Sequence, residues 1–502
     1  MEGLDMDYFK LQNGSDIRGV ALEGIEGEPV NLTHVETCGI TRAFIGWLSD
    51  KVGKAPSALT LSVGCDSRLS AGDLKRGIFS GCGQTGTKVL DCGITSTPSM
   101  FMSTRFTESN CDGAIMVTAS HLPFNRNGMK FFTREGGLDK RDIKAILTAV
   151  DPSAGCPEDR STVEEFDLVD RYSRHLVDLI RTGAGEASAQ PLSGMRIVVD
   201  AGNGAGGFFA EKVLKPLGAD TAGSQFLDPD GRFPNHIPNP EDDDAIHAIM
   251  EATLRNRADL GIIFDTDVDR SAVIDRTGSA IHRNRLIALM SAIVLEDHPG
   301  TTIVTDSVTS DGLTAFIEKS GGRHHRFKRG YKNVIDESIR LNREGIPSHL
   351  AIETSGHGAF KENYFLDDGA YIATKALIKL AQLQREGKDL PDLIADLEEP
   401  KDETSLRVKI TVADFVPYGE QVLASFREFL EDDGRFQIVS PNHEGIRANF
   451  AIDGNNGWVL LRMSLHDPVM PLNLESMQED GCAVVREILY DFLKGFDKLL
   501  LP

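Results

Sequence analysis

Residues 260–270 read Leu-Gly-Ile-Ile-Phe-Asp-Thr-Asp-Val-Asp-Arg, an apolar run that passes directly into three aspartates at alternate positions. Leu260–Phe264 has the length and apolar character of a buried strand, and the acidic loop begins where that strand ends. In open α/β sheets, ligand loops lie beyond the carboxyl ends of strands. The stretch therefore reads as a strand delivering a chemically loaded loop.

The same plan recurs on either side. ALTLSVGCDSR (58–68) and TKVLDCGI (87–94) lead to GAIMVTASH (113–121), and MRIVVDAGNGAGG (195–207) leads to the opening stretch. TTIVTDSVTSDG (301–312) leads to SHLAIETSGHG (348–358). Amphipathic helical stretches lie between the runs, which predicts α/β units with mixed, mostly parallel sheets, either three similar α/β domains or three unrelated ones, with three polar loops that would converge on a central cleft. DPSAGCPEDRST (151–162) reads as a linker before a helix over VEEFDLVDRYSRHLVDLI (163–180), and NRLIALMSAIVLE (284–296) reads as a helix opening the third block. After LEEPKDETSLRV (397–408), the runs LRVKITV, FQIVS, IRANFAI and WVLLRMSL with two helices predict a C-terminal α+β domain. The expected domains are 1–165, 166–290, 291–403 and 404–502.

A chain of 502 residues exceeds one compact core, and its 40% hydrophobic and 26% charged residues are ordinary for a globular protein. Its 76 acidic and 53 basic residues give a net charge of −23, which repels nucleic acid and anionic membranes. No run is long enough to span a bilayer, and MEGLDMDYFK lacks signal-peptide character, so a cytoplasmic setting is expected, or a plastid if a transit peptide has been removed. Seven cysteines without a CxxC pair predict free thiols and give no support to a zinc site. The sequons at Asn13 and Asn31 are read as chance matches.

Three loops carry chemistry. In Thr118-Ala119-Ser120-His121-Leu122-Pro123, a serine in a turn after a buried strand is a candidate nucleophile or phosphoryl carrier, while a bare Ser-His pair is usually only a cap. The loop lacks the G-x-S-x-G elbow, which disfavours acyl transfer. Asp265, Asp267 and Asp269 would repel one another at a strand end, and a hard divalent cation such as Mg²⁺ relieves that repulsion, with Arg270 placed to meet a phosphate oxygen. An EF-hand needs Gly and Glu where Arg270 and Arg276 stand. A haloacid-dehalogenase-type phosphatase would use Asp265 and Asp267, with Lys328 and Asp367-Asp368 downstream, but its motif opens a domain whereas this one closes a block. In the third loop, Glu353, Ser355 and His357 offer donors and acceptors for sugar hydroxyls, and HRFKRGYK (325–332), with Lys328 and Lys332, stands out as a phosphate contact in an acidic protein.

Ser-His-x-Pro, Asn127-Gly-x-Lys130, Asp-x-Asp-x-Asp-Arg and Glu-x-Ser-Gly-His occur in that order. Together with Asp16-Ile-Arg18-Gly, Gly64-Cys-Asp66-Ser-Arg68, Thr97-Pro98, Asp200-Ala-Gly-Asn-Gly204 and Pro238-Asn-Pro-Glu241, they make the chain resemble the α-D-phosphohexomutase superfamily over nearly its whole length. The resemblance implies a phosphoserine at Ser120, with Mg²⁺ held by Ser120, Asp265, Asp267 and Asp269. It also implies Lys130, Arg270 and His357 as catalytic groups, and Arg18, Arg68 and His121 as ligands around the phosphoryl centre. Glu353 and Ser355 would bind sugar hydroxyls. The implied reaction interconverts hexose 1-phosphate and hexose 6-phosphate, of glucose or mannose, through a hexose 1,6-bisphosphate that also serves as activator, in a monomer or homodimer.

The C-terminal phosphate loop departs from the family's R-x-S-G-T-E-P. Here it reads Arg462-Met-Ser464-Leu465-His466-Asp467-Pro468, so a flexible Gly and a donor hydroxyl are gone and His466 stands as the replacement donor. Leu122 and Phe124 replace the usual Asn and Pro of the serine loop. The alternatives at this point are a phosphoglucosamine mutase, a hexose 1,6-bisphosphate-forming phosphotransferase, a non-catalytic sugar-phosphate binder and the phosphatase above.

Overall fold

A computed structural model describes residues 7–160, 162–185, 189–464 and 467–502. They pack as two compact units, one of residues up to 282 with Ser355–Leu390, the other of Arg283–Thr354 with Pro391–Pro502. The Glu353–Gly358 loop thus straddles a unit boundary.

The first unit includes β1 (Asp16–Val20), α1 (His34–Val52), β2 (Thr60–Cys65), α2 (Ala71–Thr85), β3 (Lys88–Ile94), α3 (Thr97–Met102), β4 (Gly113–Val117), β5 (Arg126–Thr133) and α4 (Lys140–Thr148). β4, β2 and β3 run parallel, while β5 returns antiparallel to β4 and carries β1 on its far edge. Every residue of β4 is buried, as its continuous apolar run requires. Thr33 begins α1 with a capping box closed by Glu36.

The helix expected from 163 begins later. Val163–Glu165 forms β6, parallel to the outer edge of β3, and α5 (Leu168–Gly183) starts after Asp167, whose side chain accepts from Asp170 N. An open sheet edge took the β-branched start, and the aspartate cap set the helix boundary.

In the second sheet β7 (Ile197–Asp200) runs parallel to β8 (Leu260–Phe264), and β9 (Ser271–Asp275) folds back antiparallel, so the acidic residues form the turn between β8 and β9. α6 (Asp243–Asn256) covers this sheet.

The second unit starts with α7 (Arg283–Asp297), then β10 (Thr302–Thr305), α8 (Asp311–Lys319), β11 (Arg323–Arg326), α9 (Tyr331–Arg343) and β12 (Ser348–Ile352). β10 pairs in parallel with both β11 and β12. The chain then returns to the first unit as β13 (Gly358–Phe360), β14 (Leu366–Asp367) and α10 (Gly369–Arg385).

The C-terminal part is antiparallel: β15 (Asp402–Ile410), β16 (Phe436–Ile438), β17 (Ile446–Ile452), β18 (Asn455–Leu461) and β19 (Val469–Ser476), with α11 (Phe415–Asp432) and α12 (Gly481–Leu493). Val422, Phe426, Val485 and Leu489 of the helices join Val459, Leu461 and Leu472 of the sheet in one core. β19 lies outside the four runs named from the sequence, and it carries Pro471, a residue that disfavours a central strand. Pro471 lies opposite Arg407 and uses its carbonyl, accepting from Arg462 N at 3.1 Å.

Candidate active site

β4 ends at Val117, and the next residues turn so tightly that Ser120 adopts a left-handed backbone, φ 50°. Ser120 N donates to Thr118 Oγ1 at 2.9 Å, and the Thr118 hydroxyl donates to Asp66 Oδ2 at 2.6 Å. Arg68, expected to bind the phosphoryl group, has a different job here. Its guanidinium donates to the carbonyls of Ser120 and Leu122 at 2.5 Å, Pro123 at 2.7 Å and Arg126 at 2.8 Å, and it is buried against Asp66. It is a brace for the serine loop. Arg18 donates to the Thr118 carbonyl and to Asp16 Oδ2 at 2.9 Å, and stays partly open.

The Asp265–Arg270 turn lies beside this loop, and all six residues are buried. Asp265 Oδ2 accepts from Ser120 Oγ at 3.0 Å and from Arg270 Nε at 3.2 Å and Nη2 at 3.1 Å. Arg270 Nη2 also reaches Ser120 Oγ at 3.1 Å and His121 Nδ1 at 2.7 Å. A guanidinium only donates, so that second contact assigns His121 as a neutral imidazole accepting at Nδ1. Lys130 Nζ lies 2.5 Å from Asp269 Oδ2 and 3.3 Å from Asp267 Oδ2. His357 Nδ1 lies 2.5 Å from Asp367 Oδ2 and 3.8 Å from Asp269 Oδ1.

Backbone packing holds the turn in shape. Val268, buried and β-branched, sits at φ 67°, a conformation that costs about 1–3 kcal/mol and persists only where its surroundings impose it. Gly369 N at the start of α10 donates to Val268 O at 3.1 Å, and a Cβ on Gly369 would lie 2.5 Å from the Arg270 carbonyl carbon. Gly204 presses on the other side, where a Cβ would lie 2.6 Å from Thr266 O. Thr97 donates through its backbone N to Asp267 O at 2.8 Å and through its hydroxyl to the Asp267 carboxylate.

Four carboxylates (Asp265, Asp267, Asp269, Asp367) therefore face three cationic groups (Lys130, Arg270, His357). Burial pushes the Asp265 carboxyl well up, and Asp269 and Asp267 push it further, against the pull of Arg270. Burial acts upward on Asp269 too, but Lys130, His357 and Arg270 outweigh it and hold that carboxyl far below its ordinary range. Burial alone would lower the His357 pKa; Asp367 and then Asp269 overcome it and raise the ring to about 9. The imidazolium is thus the form present at neutral pH.

The donor set fits a divalent cation. One oxygen from each of Asp265, Asp267 and Asp269 lies within 4.8 Å of the others, and Asp267 Oδ1 and Asp269 Oδ1 are buried without a hydrogen-bond partner among the described residues. Ligands at about 2.1 Å from Mg²⁺ stand at most roughly 4.2 Å apart, so the three need close by little to take one. A buried carboxylate oxygen without a partner is costly unless a cation completes it.

The other expected residues fall in the second unit or at its boundary. Gly330 N donates to Glu353 Oε1 at 2.5 Å, and Arg329 N donates to Glu444 Oε2 at 3.2 Å. Lys328 is exposed, and Lys332 pairs with Asp336 one helical turn on, at 3.0 Å. Arg462 Nη1 lies 3.8 Å from Glu444 Oε1. Ser464 Oγ accepts from Asp467 N at 3.3 Å, while Leu465 and His466 lie outside the described residues. Ser355 is buried at the start of the segment belonging to the first unit.

Two motifs gain roles in the structure: in Pro238–Glu241, Asn239 Oδ1 accepts from Arg270 Nη1 at 2.9 Å and Glu241 stands 3.8 Å from the same nitrogen, while Thr97 steadies Asp267. Asp367 was noticed only as a part for a phosphatase; its role against His357 had no local signal, since ten residues of chain separate them.

A serine in a strained turn beside a cation site, with paired basic groups behind it, defines a centre for handling phosphoryl groups. Models of the phosphoglucomutase/phosphomannomutase family match successive stretches of the chain, α/β/α domain I over residues 10–153, domain II over 170–278 and domain III over 282–400. A phosphomannomutase/phosphoglucomutase of Pseudomonas syringae is 29% identical over 95% of this chain and 94% of its own length. A phosphoglucomutase of Neisseria gonorrhoeae is 28% identical, with 95% and 94% covered. The crystal structure of a phosphoglucomutase/phosphomannomutase family protein from Burkholderia thailandensis superposes with a TM-score of 0.78 at 26% identity, covering 97% of this chain and 98% of that one. The chain belongs to the α-D-phosphohexomutase superfamily, and is an isomerase of the phosphotransferase-mutase kind. The haloacid-dehalogenase reading falls with that assignment, and Asp265, its nucleophile, is tied up by Arg270 and Ser120.

Proposed function

We propose that this protein interconverts hexose 1-phosphate and hexose 6-phosphate, with glucose or mannose as the sugar, by passing a phosphoryl group through Ser120. The observation that carries the reading is the position of Ser120 Oγ, 3.0 Å from Asp265 Oδ2 and 3.1 Å from Arg270 Nη2, beside carboxylate oxygens that have no hydrogen-bond partner among the described residues. Asp265, Asp267, Asp269 and the Ser120 phosphoryl oxygens would hold Mg²⁺. Bound there, it would offset charge on the transferring group, the main need of phosphoryl transfer.

The chain's own groups do the rest. Arg270 steadies the Ser120 oxygen and fixes His121 as a neutral acceptor. Lys130, held by Asp269, supplies a second positive charge. Asp367 fixes His357 through Nδ1, which assigns proton exchange with a sugar hydroxyl to Nε2. Phosphoserine gives its phosphoryl group to the sugar monophosphate, forming a 1,6-bisphosphate; the other phosphate then returns to Ser120, so bonds made and broken balance. The bisphosphate also serves as activator by rephosphorylating Ser120. Glu353 and Ser355 are assigned to sugar hydroxyls, and Arg462, Ser464 and the Lys328–Gly330 turn to the phosphate that is not reacting.

The test is a panel of hexose 1-phosphates with Mg²⁺ and catalytic bisphosphate, read alongside intact-mass detection of phosphate on the protein. Conversion of glucose or mannose phosphate, with a phosphate that Ser120→Ala removes, is the expected result. Absence of transfer to every hexose phosphate overturns it.

A further inference from the structure

Within the second unit, the groups assigned to the non-reacting phosphate already hold an anion, and it belongs to the chain. Glu444 Oε2 accepts from Arg329 N at 3.2 Å and from the Ser307 hydroxyl. Its Oε1 lies 3.8 Å from Arg462 Nη1, and both side chains are only 11% exposed. Asn442 Nδ2 pins the backbone on either side by donating to Glu444 O at 3.1 Å and Gly445 O at 2.7 Å. A backbone N–H just before the 13-residue helix α9, a hydroxyl and a guanidinium are the donors a phosphoryl group uses.

The grip is incomplete in one place. At 3.8 Å the Arg462–Glu444 pair is beyond hydrogen-bond distance, and Arg462 Nε is buried without a hydrogen-bond partner among the described residues. A phosphate carries more charge than a carboxylate and a third terminal oxygen, so it can engage a fork that Glu444 leaves half used. Against the family's R-x-S-G-T-E-P, the loop has lost a flexible Gly and the Thr hydroxyl that would otherwise favour phosphate.

We propose that Glu444 is the resident anion of this subsite, displaced when the sugar's non-reacting phosphate binds, so that its carboxylate sets affinity and selects doubly charged phosphate over weaker anions. The proposal rests on the mutase reading for the identity of the ligand. Glu444 acts through Arg462, Arg329 and Ser307 and is a positioning residue for recognition.

The experiment is calorimetric titration of inorganic phosphate into the full-length protein, wild type, Glu444→Gln, Ser307→Ala and Glu444→Gln/Arg462→Ala, with melting temperatures and steady-state kinetics on the same samples. Glu444→Gln keeps an acceptor oxygen and removes the competing charge, so phosphate should bind about tenfold tighter, with KM for the sugar phosphate lowered and kcat little changed. Ser307→Ala keeps the charge but loosens its hold, and should tighten phosphate about two- to threefold. The gain should vanish in the double variant, which separates this subsite from the Ser120 centre. Unchanged or weaker phosphate binding by Glu444→Gln at a wild-type melting temperature makes Glu444 a brace and overturns the proposal, as does a gain that survives loss of Arg462. If Glu444→Gln melts early, Ser307→Ala decides by the same criterion. Tightening in a protein that turns over no hexose phosphate would sink the mutase reading and leave this inference standing; turnover without tightening would do the reverse.

Discussion

The Asp265–Arg270 turn and the Arg462–Pro468 loop, both assigned to phosphate under the proposed function, are built in opposite ways. In the first, all residues are buried, the backbone is held at an unfavourable Val268 conformation, and each carboxylate has a designated cation. In the second, Ser464 N reaches Val469 O at 2.9 Å, and Asp467 pairs with Arg407 at 3.3 Å with both side chains over 60% exposed. The difference teaches where rigidity is needed. Charge that develops during transfer is met best by dipoles and ions already in place, because no reorganisation is then required. The C-terminal loop, assigned under the proposed function to a phosphate that does not react, is where the chain's residues depart from R-x-S-G-T-E-P.

Removing the nucleophile should break the buried side most completely. Ser120→Ala is expected to lower kcat on the order of 10³-fold or more and abolish the protein-bound phosphate; substantial retained turnover would mean that another group carries the phosphoryl. Metal removal comes next. Chelation should stop turnover, and saturating Mg²⁺ at a hundred times its Kd should stabilise the fold by about 2.7 kcal/mol. Asp267→Asn should lose most of that stabilisation while leaving the metal-free protein as stable or more so, since one of three crowded buried carboxylates, with an oxygen that has no hydrogen-bond partner among the described residues, is made neutral. A metal-free variant that melts far lower would instead make Asp267 a structural residue.

Arg68 tests whether the serine loop needs a brace. Arg68→Lys cannot serve four carbonyls at once, and should cost roughly 3 kcal/mol in chemical denaturation and lower kcat more than it changes KM. An undisturbed melting curve with altered phosphate affinity would restore Arg68 as a direct ligand.

The His357–Asp367 pair gives a smaller, pH-dependent effect. A ring whose folded pKa is about 9 against an ordinary 6.5 contributes stability that is complete below about pH 6.5 and is lost as pH rises through 9. That contribution is of order 3 kcal/mol in the absence of metal. Asp367→Asn should flatten the profile over that window in chelator; parallel profiles for the two proteins would remove Asp367 as the cause. The smallest effect is expected at the exposed end: Lys332→Ala should change stability by less than about 0.5 kcal/mol and kcat/KM by less than twofold, because Lys332 pairs along its own helix with Asp336. A large rise in KM would return it to the phosphate site.

Strand-to-loop punctuation made much of this legible in the sequence. β4 and β8 lie under their apolar runs, and Ser120 and Asp265–Arg270 follow them directly, because a buried strand must end where polar residues begin. The C-terminal sheet was visible in four of its strands and hidden in Val469–Ser476, where proline masks a strand that tertiary pairing tolerates. Arg68 was misjudged because a guanidinium looks the same in sequence whether it faces a ligand or four carbonyls.

By itself, the sequence determined the order of the strands that carry loops, the identity of the serine and the three aspartates, and the divergent loop at the C-terminus. These are local properties, fixed by apolar periodicity and residue chemistry within a few positions. Only the tertiary structure decided which charges meet: Lys130 with Asp269 across 139 positions, Arg270 with Ser120 across 150, and the Glu444 carboxylate with Arg329 across 115. Partners that far apart leave no periodic trace in the chain, and the work they do depends on burial and separation, which exist only once the chain has folded.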